Sequence, residues 1–288
     1  MVVAHDEWSG ENASVASIER ELARLREGAA LSEVGGNMRT SVMTHCAWVP
    51  EPWLDAAEAT LMGMQDRHPS RTLILIPEPE VPNGLDVDLS VRCFATGGRH
   101  VCSEVVELRL RGNRVQSPAS IVFPLLISDL PVFCRWRGEP WFGEPAWQQL
   151  ADLADRVVVD SSEWDELRYA ELAEAFPETA VSDIAWARTA DWRLELAGLW
   201  PGIRDREIRV RGPRAEASLL RGWLAARLRR AIRPVEAAPE LGVRLGGEEI
   251  RPPRLEAVTP SELLSAELDR FVRDPIYEEA VLAVASGR

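Results

Sequence analysis

Short apolar segments that alternate with amphipathic segments constrain the fold of this chain most strongly. The apolar stretches at residues 72–76, 131–136 and 156–159 have the length of buried strands. Between the predicted strand at residues 40–49 and the stretch at 72–76, apolar side chains recur at helical spacing, at Leu54, Ala57, Leu61 and Met64. Buried strands connected by helices are typical of parallel sheets. The sequence therefore predicts an α/β fold with a largely parallel sheet flanked by helices.

A hairpin-like pair of strands near residues 87–96 and 101–110 indicates that this sheet is mixed. A second part begins near residue 178 and combines helices with a strand near 206–211 and a turn at Gly246-Gly247. We predict a leader and amphipathic helix over 1–35, with residues 1–14 mobile. An N-terminal α/β domain over 36–177 and a smaller C-terminal α+β domain over 178–288 follow.

Charge and hydropathy exclude several function classes. The 288 residues include 46 acidic and 33 basic side chains, a net charge of −13, which argues against nucleic-acid binding. No apolar run approaches the roughly 18 residues that span a bilayer. The first seven residues lack the basic and apolar regions of a signal peptide. We expect a cytoplasmic protein with no membrane or nucleic-acid partner.

The absence of lysine excludes several catalytic mechanisms. Every basic residue counted is arginine, so a Walker A loop, a kinase-type ATP lysine and Schiff-base chemistry are ruled out. A Gly-x-Ser-x-Gly elbow and a three-glycine dinucleotide motif are also missing from the sequence. The sequence therefore predicts no catalytic residues, no cofactor and no enzyme activity.

Cysteines and carboxylates leave alternatives open. Cys46, Cys93, Cys102 and Cys134 lie on predicted strands without a Cys-x-x-Cys pair. Core packing is the favoured interpretation, with a redox-sensitive thiol or a metal site as alternatives, and no metal site is predicted. Three carboxylates, at positions 129, 160 and 183, fall near strand or helix ends, where active sites of α/β folds collect. The sequence cannot bring any two of them together.

Residues 183–200 concentrate tryptophan and arginine. Trp186, Arg188, Trp192 and Arg193 fall within eight residues. We predict one helix with Ser182 as its N-cap, on which Arg188 and Trp192, four apart, stack. Core packing, a protein-binding patch and stacking on a sugar are the alternatives for the eight tryptophans that lie between residues 136 and 223.

Arginines recur in two further places. Residues 200–233 carry ten arginines and three acids. They form either a solvated helix face, with arginines at a helix C-terminus, or a docking surface for an acidic partner or phosphate. The turn before the strand at 72–76 contains Ser70 and Arg71, which either close a helix or bind a phosphate.

The Asp-x-x-Trp-x-Arg run from Asp183, followed by Trp-Arg, resembles a signature of the glucose-6-phosphate dehydrogenase assembly protein family (OpcA). Further similar segments occur in the family's order at residues 18–25, 39–40, 68–71, 125–138, 154–161, 267–270 and 274–280. The resemblance covers roughly residues 15–285 and is poor between 235 and 258.

The resemblance implies a non-catalytic assembly factor and allosteric activator of glucose-6-phosphate dehydrogenase in the oxidative pentose phosphate pathway of a bacterium. The candidate partner-binding residues are Trp186, Arg188, Trp192, Arg193, Arg227 and Arg230. The alternative is an α/β enzyme or sensor that itself binds a sugar phosphate, with Ser70, Arg71 and Arg135 as possible phosphate-binding residues. A regulator that responds through its thiols is a third hypothesis.

Overall fold

The computed structural model describes residues 2–31, 38–39, 41–64, 67–96, 99–251 and 258–287. Contacts divide the chain into two compact units. The first unit comprises Met1–Val157 and Pro260–Asp269, and the second comprises Val158–Thr259 and Arg270–Arg288. The expected domain boundary between residues 177 and 178 stays a prediction.

The strands are β1 (Val2–Gly10), β2 (Met38–Arg39), β3 (Met43–Trp48), β4 (Ser70–Glu78), β5 (Gly84–Thr96), β6 (Arg99–Arg111), β7 (Val132–Trp136), β8 (Arg156–Val159), β9 (Ala180–Asp183), β10 (Ile208–Gly212), β11 (Glu236–Ala237), β12 (Gly242–Leu245) and β13 (Glu248–Glu249). The helices are α1 (Val15–Leu31), α2 (Leu54–Met62), α3 (Ala119–Leu125), α4 (Pro145–Leu153), α5 (Tyr169–Ala173), α6 (Ile184–Arg188), α7 (Ala190–Gly198), α8 (Arg214–Leu228), α9 (Pro260–Leu268) and α10 (Pro275–Ala285).

The first unit is built on a mixed sheet with strand order β1-β5-β6-β4-β3-β7, and β2 pairs with β6. The pairs β6/β4, β4/β3, β3/β7 and β2/β6 are parallel, whereas β1/β5 and β5/β6 are antiparallel. Every residue of β3 and β7 is buried, as expected for strands covered on both faces. The predicted fold class, a largely parallel mixed sheet flanked by helices with a smaller C-terminal α+β part, is confirmed.

The N-terminal residues are not a mobile leader. Residues 2–10 form β1, which pairs antiparallel with β5 from Val2↔Phe94 to Gly10↔Val87. The prediction of a mobile segment over residues 1–14 is therefore wrong. A mostly polar segment at a sheet edge is held by backbone hydrogen bonds, which the side-chain pattern does not encode.

Tryptophans build part of the core of the first unit. Trp48 and Trp136 are register partners on β3 and β7, and their rings stack with centroids 4.8 Å apart. Trp141 and Trp147 meet the Trp136 ring edge-on. Four indoles therefore pack together, as the core-packing alternative predicts.

Two of the four cysteines also lie in this core. Cys46 and Cys134 are buried, free and directly opposite each other on β3 and β7. Burial and a hydrogen bond to the neighbouring thiol raise the pKa of Cys46. The side chains of Cys93 and Cys102 lie outside the described residues.

Helix α9 belongs to the first unit, where two polar contacts bind it to the rest of the unit. Ser261 Oγ donates to the Thr60 carbonyl over 2.9 Å, and Ser265 Oγ lies 2.6 Å from His68 Nε2. Helix α9 begins at Pro260, a residue type that suits the first turn of a helix. Among the described residues, no helix combines the length and the apolar character needed to cross a membrane.

The second unit has its own sheet, with strand order β11-β10-β12-β13. Its apolar core includes Trp192, Leu196, Val210, Leu220 and Val243. The predicted turn at Gly246-Gly247 connects β12 to β13, and both glycines have positive φ angles of 61° and 89°. Such angles are accessible to glycine at little cost.

The segment after β9 folds into two helices rather than the single predicted helix. Helix α6 ends at Arg188 and α7 begins at Ala190, with Thr189 between them. The N-cap is Asp183, whose carboxylate accepts a hydrogen bond from the Ala185 amide, and not Ser182 as predicted. Because of this break, Arg188 and Trp192 do not lie on one face of a continuous helix.

Candidate functional site

A group of buried and half-buried polar side chains in the second unit lies at the ends of β8 and β9. These strands are neighbours. Asp160 follows β8, and Asp183 is the last residue of β9. We call Asp160, Ser161, Ser162, Asp183 and Arg188 the carboxylate cluster. The sequence marked both aspartates as lying near element ends, and the tertiary structure brings them together.

Asp183 is enclosed and receives hydrogen bonds from several donors. Ser161 Oγ donates to its Oδ2 over 2.6 Å, and the Ser161 and Ala185 amides donate to its Oδ1. Tyr277 Oη lies 3.5 Å from Oδ2. Burial and the neighbouring charge of Asp160 outweigh these donors and raise the pKa of Asp183 to about 7.

Arg188 spans two carboxylates and does not stack on Trp192. Its two terminal nitrogens donate to both oxygens of Asp160, over 3.0 and 2.8 Å. The first nitrogen also reaches Glu216 Oε1 at 3.3 Å. A bidentate arginine–carboxylate pair is stronger and more directional than a single contact. The predicted Arg188–Trp192 stacking is therefore wrong.

Sequence reasoning missed three members of this environment. Glu216 lies in the first turn of α8. Tyr169 is the first residue of α5, and Tyr277 lies in the first turn of α10. Tyr169 is buried, shares a 2.8 Å hydrogen bond with Ser161 Oγ, and has a raised pKa because of burial and the charge of Asp183. Glu216 and Tyr277 lie far from Asp160 in sequence, Tyr169 is eight residues from Ser161, and no local pattern indicates these contacts.

The carboxylate cluster holds the polypeptide together and does not display a free acid and base. The oxygens of Asp160 and Asp183 accept from serine, arginine and backbone donors of this chain. Within the described ranges, no group of three or more histidine, cysteine or carboxylate side chains is arranged to hold a metal ion. The geometry fixes where α6 starts and how Arg188 is placed.

The two signature tryptophans are enclosed. Trp186 and Trp192 are 2% and 1% exposed. Trp186 Nε1 donates to Asp274, and the Arg193 guanidinium lies over the Trp186 ring at 3.5 Å from its centroid. These rings contribute to the interior of the second unit, so a partner could meet them only after rearrangement. Direct partner contact by these residues remains a prediction that their burial does not favour.

The possible phosphate-binding residues do not form an open site. Arg71 is buried and donates to Glu104 over 2.7 Å and to the Leu125 carbonyl over 2.6 Å. Ser70 Oγ lies 3.2 Å from Thr72 Oγ1. Arg135 is buried on β7, where it donates to the Trp136 carbonyl. The structural alternative, in which this turn closes a helix before a strand, fits these contacts better than phosphate binding.

Arg227 and Arg230 lie apart from the signature tryptophans, beside an open groove between the end of α8 and α10. The groove has a volume of about 1030 Å³. Its arginines are Arg227, Arg229 and Arg230, and Leu282 contributes to its apolar surface. The two predicted arginines are thus brought together in an accessible place. We call this surface the α8/α10 groove.

A serine, a histidine and an aspartate approach one another in the first unit. Ser265 Oγ is 2.6 Å from His68 Nε2, and Asp269 Oδ1 is 4.0 Å from His68 Nδ1. Burial lowers the pKa of His68. Ser265 is itself buried within α9, so its hydroxyl has no open approach for an acyl substrate. These contacts attach α9 to the turn before β4.

The comparisons with known proteins define the class. Residues 63–174 match the sequence profile of the family described as the glucose-6-phosphate dehydrogenase subunit N-terminal domain. The chain is thus an α/β protein that carries a domain associated with glucose-6-phosphate dehydrogenase assembly. Both this match and the motifs of the chain are similar to the OpcA family over part of the sequence.

Three relatives support the similarity to OpcA proteins. OpcA proteins assigned provisionally to the OxPP cycle in Synechococcus elongatus and Synechocystis sp. are each 28% identical to this chain, over 180 and 179 residues. The corresponding protein of Nostoc punctiforme is 29% identical over 180 residues. The matches cover 56% of this chain but only 37–40% of each relative. The chain therefore matches about two fifths of the length of these relatives.

Proposed function

We propose that this chain is a non-catalytic assembly partner and allosteric activator of glucose-6-phosphate dehydrogenase, acting in the cytoplasm. The observation that carries the proposal is the family match over residues 63–174. The names of the three relatives, which place them in the OxPP cycle, support it. The contacts within the carboxylate cluster are consistent with a non-catalytic role, because its polar side chains bind other groups of the second unit.

An activator of this kind works by binding one conformational or assembly state of the enzyme more tightly than another. A difference of about 1–3 kcal/mol in binding free energy changes substrate affinity by roughly 5- to 150-fold. Both units are compact, so the chain can present a preformed surface to which the enzyme binds. Preformed surfaces lose less conformational entropy on binding.

The experiment is a titration of this protein into glucose-6-phosphate dehydrogenase from the same genome, with glucose 6-phosphate limiting. We expect a saturable rise in rate or fall in apparent KM, and co-elution of the two proteins in size-exclusion chromatography. An unrelated protein of similar net charge serves as the control. A flat titration together with separate elution would contradict the proposal.

The alternative of a sugar-phosphate sensor can be measured in parallel. Calorimetry with glucose 6-phosphate and 6-phosphogluconate, in the absence of the enzyme, would detect direct binding. The described contacts of Arg71 and Arg135 argue against this alternative, since both side chains are buried and donate to groups of this chain. We therefore do not propose it.

A further inference from the structure

The α8/α10 groove combines an uncompensated positive charge with an exposed apolar surface. Helix α8 ends at Leu228, and Arg229 follows in the left-handed region with φ of 52°. The chain turns there, so three arginines surround the end of the helix while Leu282 of α10 remains 52% exposed. An apolar floor beside clustered arginines is typical of a surface that binds another protein.

Several arginines of the 200–233 segment pair with carboxylates, whereas in the described part of the chain only one of the three groove arginines does. Arg209 and Arg211 pair with Glu207 and Glu249, so much of the local positive charge seen in the sequence disappears. In the groove, Arg227 pairs with Glu279 over 2.6 Å. In the part of the chain that the structure describes, Arg229 and Arg230 have no carboxylate partner, and Arg230 donates to the Arg206 carbonyl.

The helix C-terminus accounts for only part of this arrangement. Arginines near the last turn interact favourably with the free carbonyls of a helix, which explains a positive side chain at Arg227. That effect does not require Arg229 at a left-handed position, where glycine is the low-energy residue. Nor does it require the exposure of Leu282. A partner that supplies carboxylates and an apolar side chain would satisfy both features.

The size of the groove favours a polypeptide occupant. Small-molecule pockets usually enclose about 300–1,000 Å³ and bury most of the ligand. This groove is open and lies at the upper end of that range. An open surface with apolar and charged side chains suits an amphipathic segment whose apolar side chains recur every three or four residues. The net charge of −13 on the whole chain argues against a nucleic acid.

We propose that the α8/α10 groove is the docking site for an acidic amphipathic segment of the partner enzyme. Carboxylates of that segment pair with Arg229 and Arg230, and an apolar side chain packs on Leu282. The inference rests on the proposed function, because glucose-6-phosphate dehydrogenase is the partner it assumes. It adds the location of the contact and the chemistry of the segment that fills it.

The test compares groove variants with matched variants elsewhere in the second unit. Arg229→Glu and Leu282→Ser change the groove. Arg204→Glu and Leu194→Ser make the same changes at exposed positions outside it. Each protein is titrated into glucose-6-phosphate dehydrogenase, and the half-saturating concentration is measured at low and high salt. The groove variants should require about tenfold more protein, whereas the matched variants should stay within about twofold of wild type.

Arg229→Gly separates binding from folding. Glycine relieves the left-handed backbone strain and removes the charge, so the melting temperature should stay or rise while binding weakens. The salt dependence should also become shallower, since one ion pair is lost. Wild-type binding by all groove variants would overturn the inference while the proposed function stands. Failure of the wild-type protein to bind the enzyme would instead overturn the proposed function on which it rests.

A second copy of this chain is the competing occupant. Analytical ultracentrifugation of the wild-type protein and Arg229→Glu, without the enzyme, tests it. A dimer that dissociates in the variant would show that the groove joins two copies, and would overturn the proposal. The same sedimentation coefficient for both proteins, with weakened enzyme binding by the variant, would support it.

Discussion

The guanidinium of Arg193 covers the indole of Trp186, with 3.5 Å between the guanidinium carbon and the ring centroid. The same arginine donates to Thr189 Oγ1 over 3.0 Å, and Trp186 Nε1 donates to Asp274 over 3.0 Å. The Trp-Arg signature therefore ties α6, α7 and the start of α10 together within the second unit. Its cation–π contact joins residues seven apart across a helix break.

The burial of Trp192 predicts a stability defect rather than a selective loss of binding. Trp192→Ala leaves a cavity in the core and should lower the free energy of unfolding by about 3–5 kcal/mol. Trp200→Ala, at a 58% exposed tryptophan, is the matched control and should change it by less than about 0.5 kcal/mol. Urea denaturation followed by fluorescence measures both. Equal midpoints for Trp192→Ala and wild type would show that this ring is not part of the core.

The Arg188–Asp160 pair predicts that the stability of the protein depends strongly on both side chains. Arg188→Ala leaves a buried carboxylate without its cation and should destabilise the protein by about 2–4 kcal/mol, below the fully buried limit because a third of Arg188 is exposed. The double variant Arg188→Met with Asp160→Asn should recover more than half of that loss. Arg209→Ala, which removes an exposed ion pair, should leave the midpoint nearly unchanged. An additive double variant would contradict the coupling.

The environment of Asp183 predicts a pH dependence of stability. Its pKa in the folded protein is about 7, above the value near 4 in an unfolded chain. Between these values only the folded protein holds the proton, so the group stabilises the fold at acidic pH and loses this contribution as the pH rises through 7. Asp160, Arg188, Tyr169 and Tyr277 are the ionisable groups described around it.

Asp183→Asn measures this contribution, because asparagine keeps the size of the side chain and one hydrogen-bond acceptor but does not titrate. The melting temperatures of wild type and variant are compared from pH 5 to pH 8. From pH 5 to pH 8, the free energy of unfolding of the wild-type protein should fall by on the order of 2 kcal/mol relative to that of the variant. Parallel melting curves across the range would mean that Asp183 stays charged in the fold.

Close packing of α8 on α10 predicts that Gly222 cannot be replaced. A Cβ at this position would lie 2.4 Å from the Ala280 carbonyl oxygen. Gly222→Ala should therefore push the helices apart and cost about 1–3 kcal/mol. Gly198→Ala is the control, since nothing lies within 4 Å of a Cβ there, and alanine at this helical position should stabilise by about 0.5–1 kcal/mol. Thermal unfolding of the two variants should shift in opposite directions.

Local patterns were sufficient for most secondary structure. The apolar run at 156–159 predicts β8, and Pro260 and Asp274-Pro275 predict the starts of α9 and α10. These predictions succeed because strand alternation, proline at a first turn and aspartate at an N-cap act over a few residues. The Trp-Arg run gave the family by similarity alone.

Where side chains point was decided over longer distances. One helix over 183–199 would stack Arg188 on Trp192, but the break at Thr189 sends Arg188 to Asp160, 28 residues away. Glu216 approaches Arg188 from 28 residues away in the opposite direction, and Tyr277 approaches Asp183 from 94 residues away. The free energy of these contacts depends on desolvation and mutual geometry, neither of which is a property of a short segment.

By itself the sequence determined the fold class and the order of most elements, because periodic burial and capping are local. Only the tertiary structure decided that residues 2–10 pair with β5, that the signature tryptophans are enclosed, and that Arg227, Arg229 and Arg230 surround a groove. Backbone pairing at a sheet edge and the compensation of charge between distant residues are properties of the folded chain, since they arise only when its segments meet.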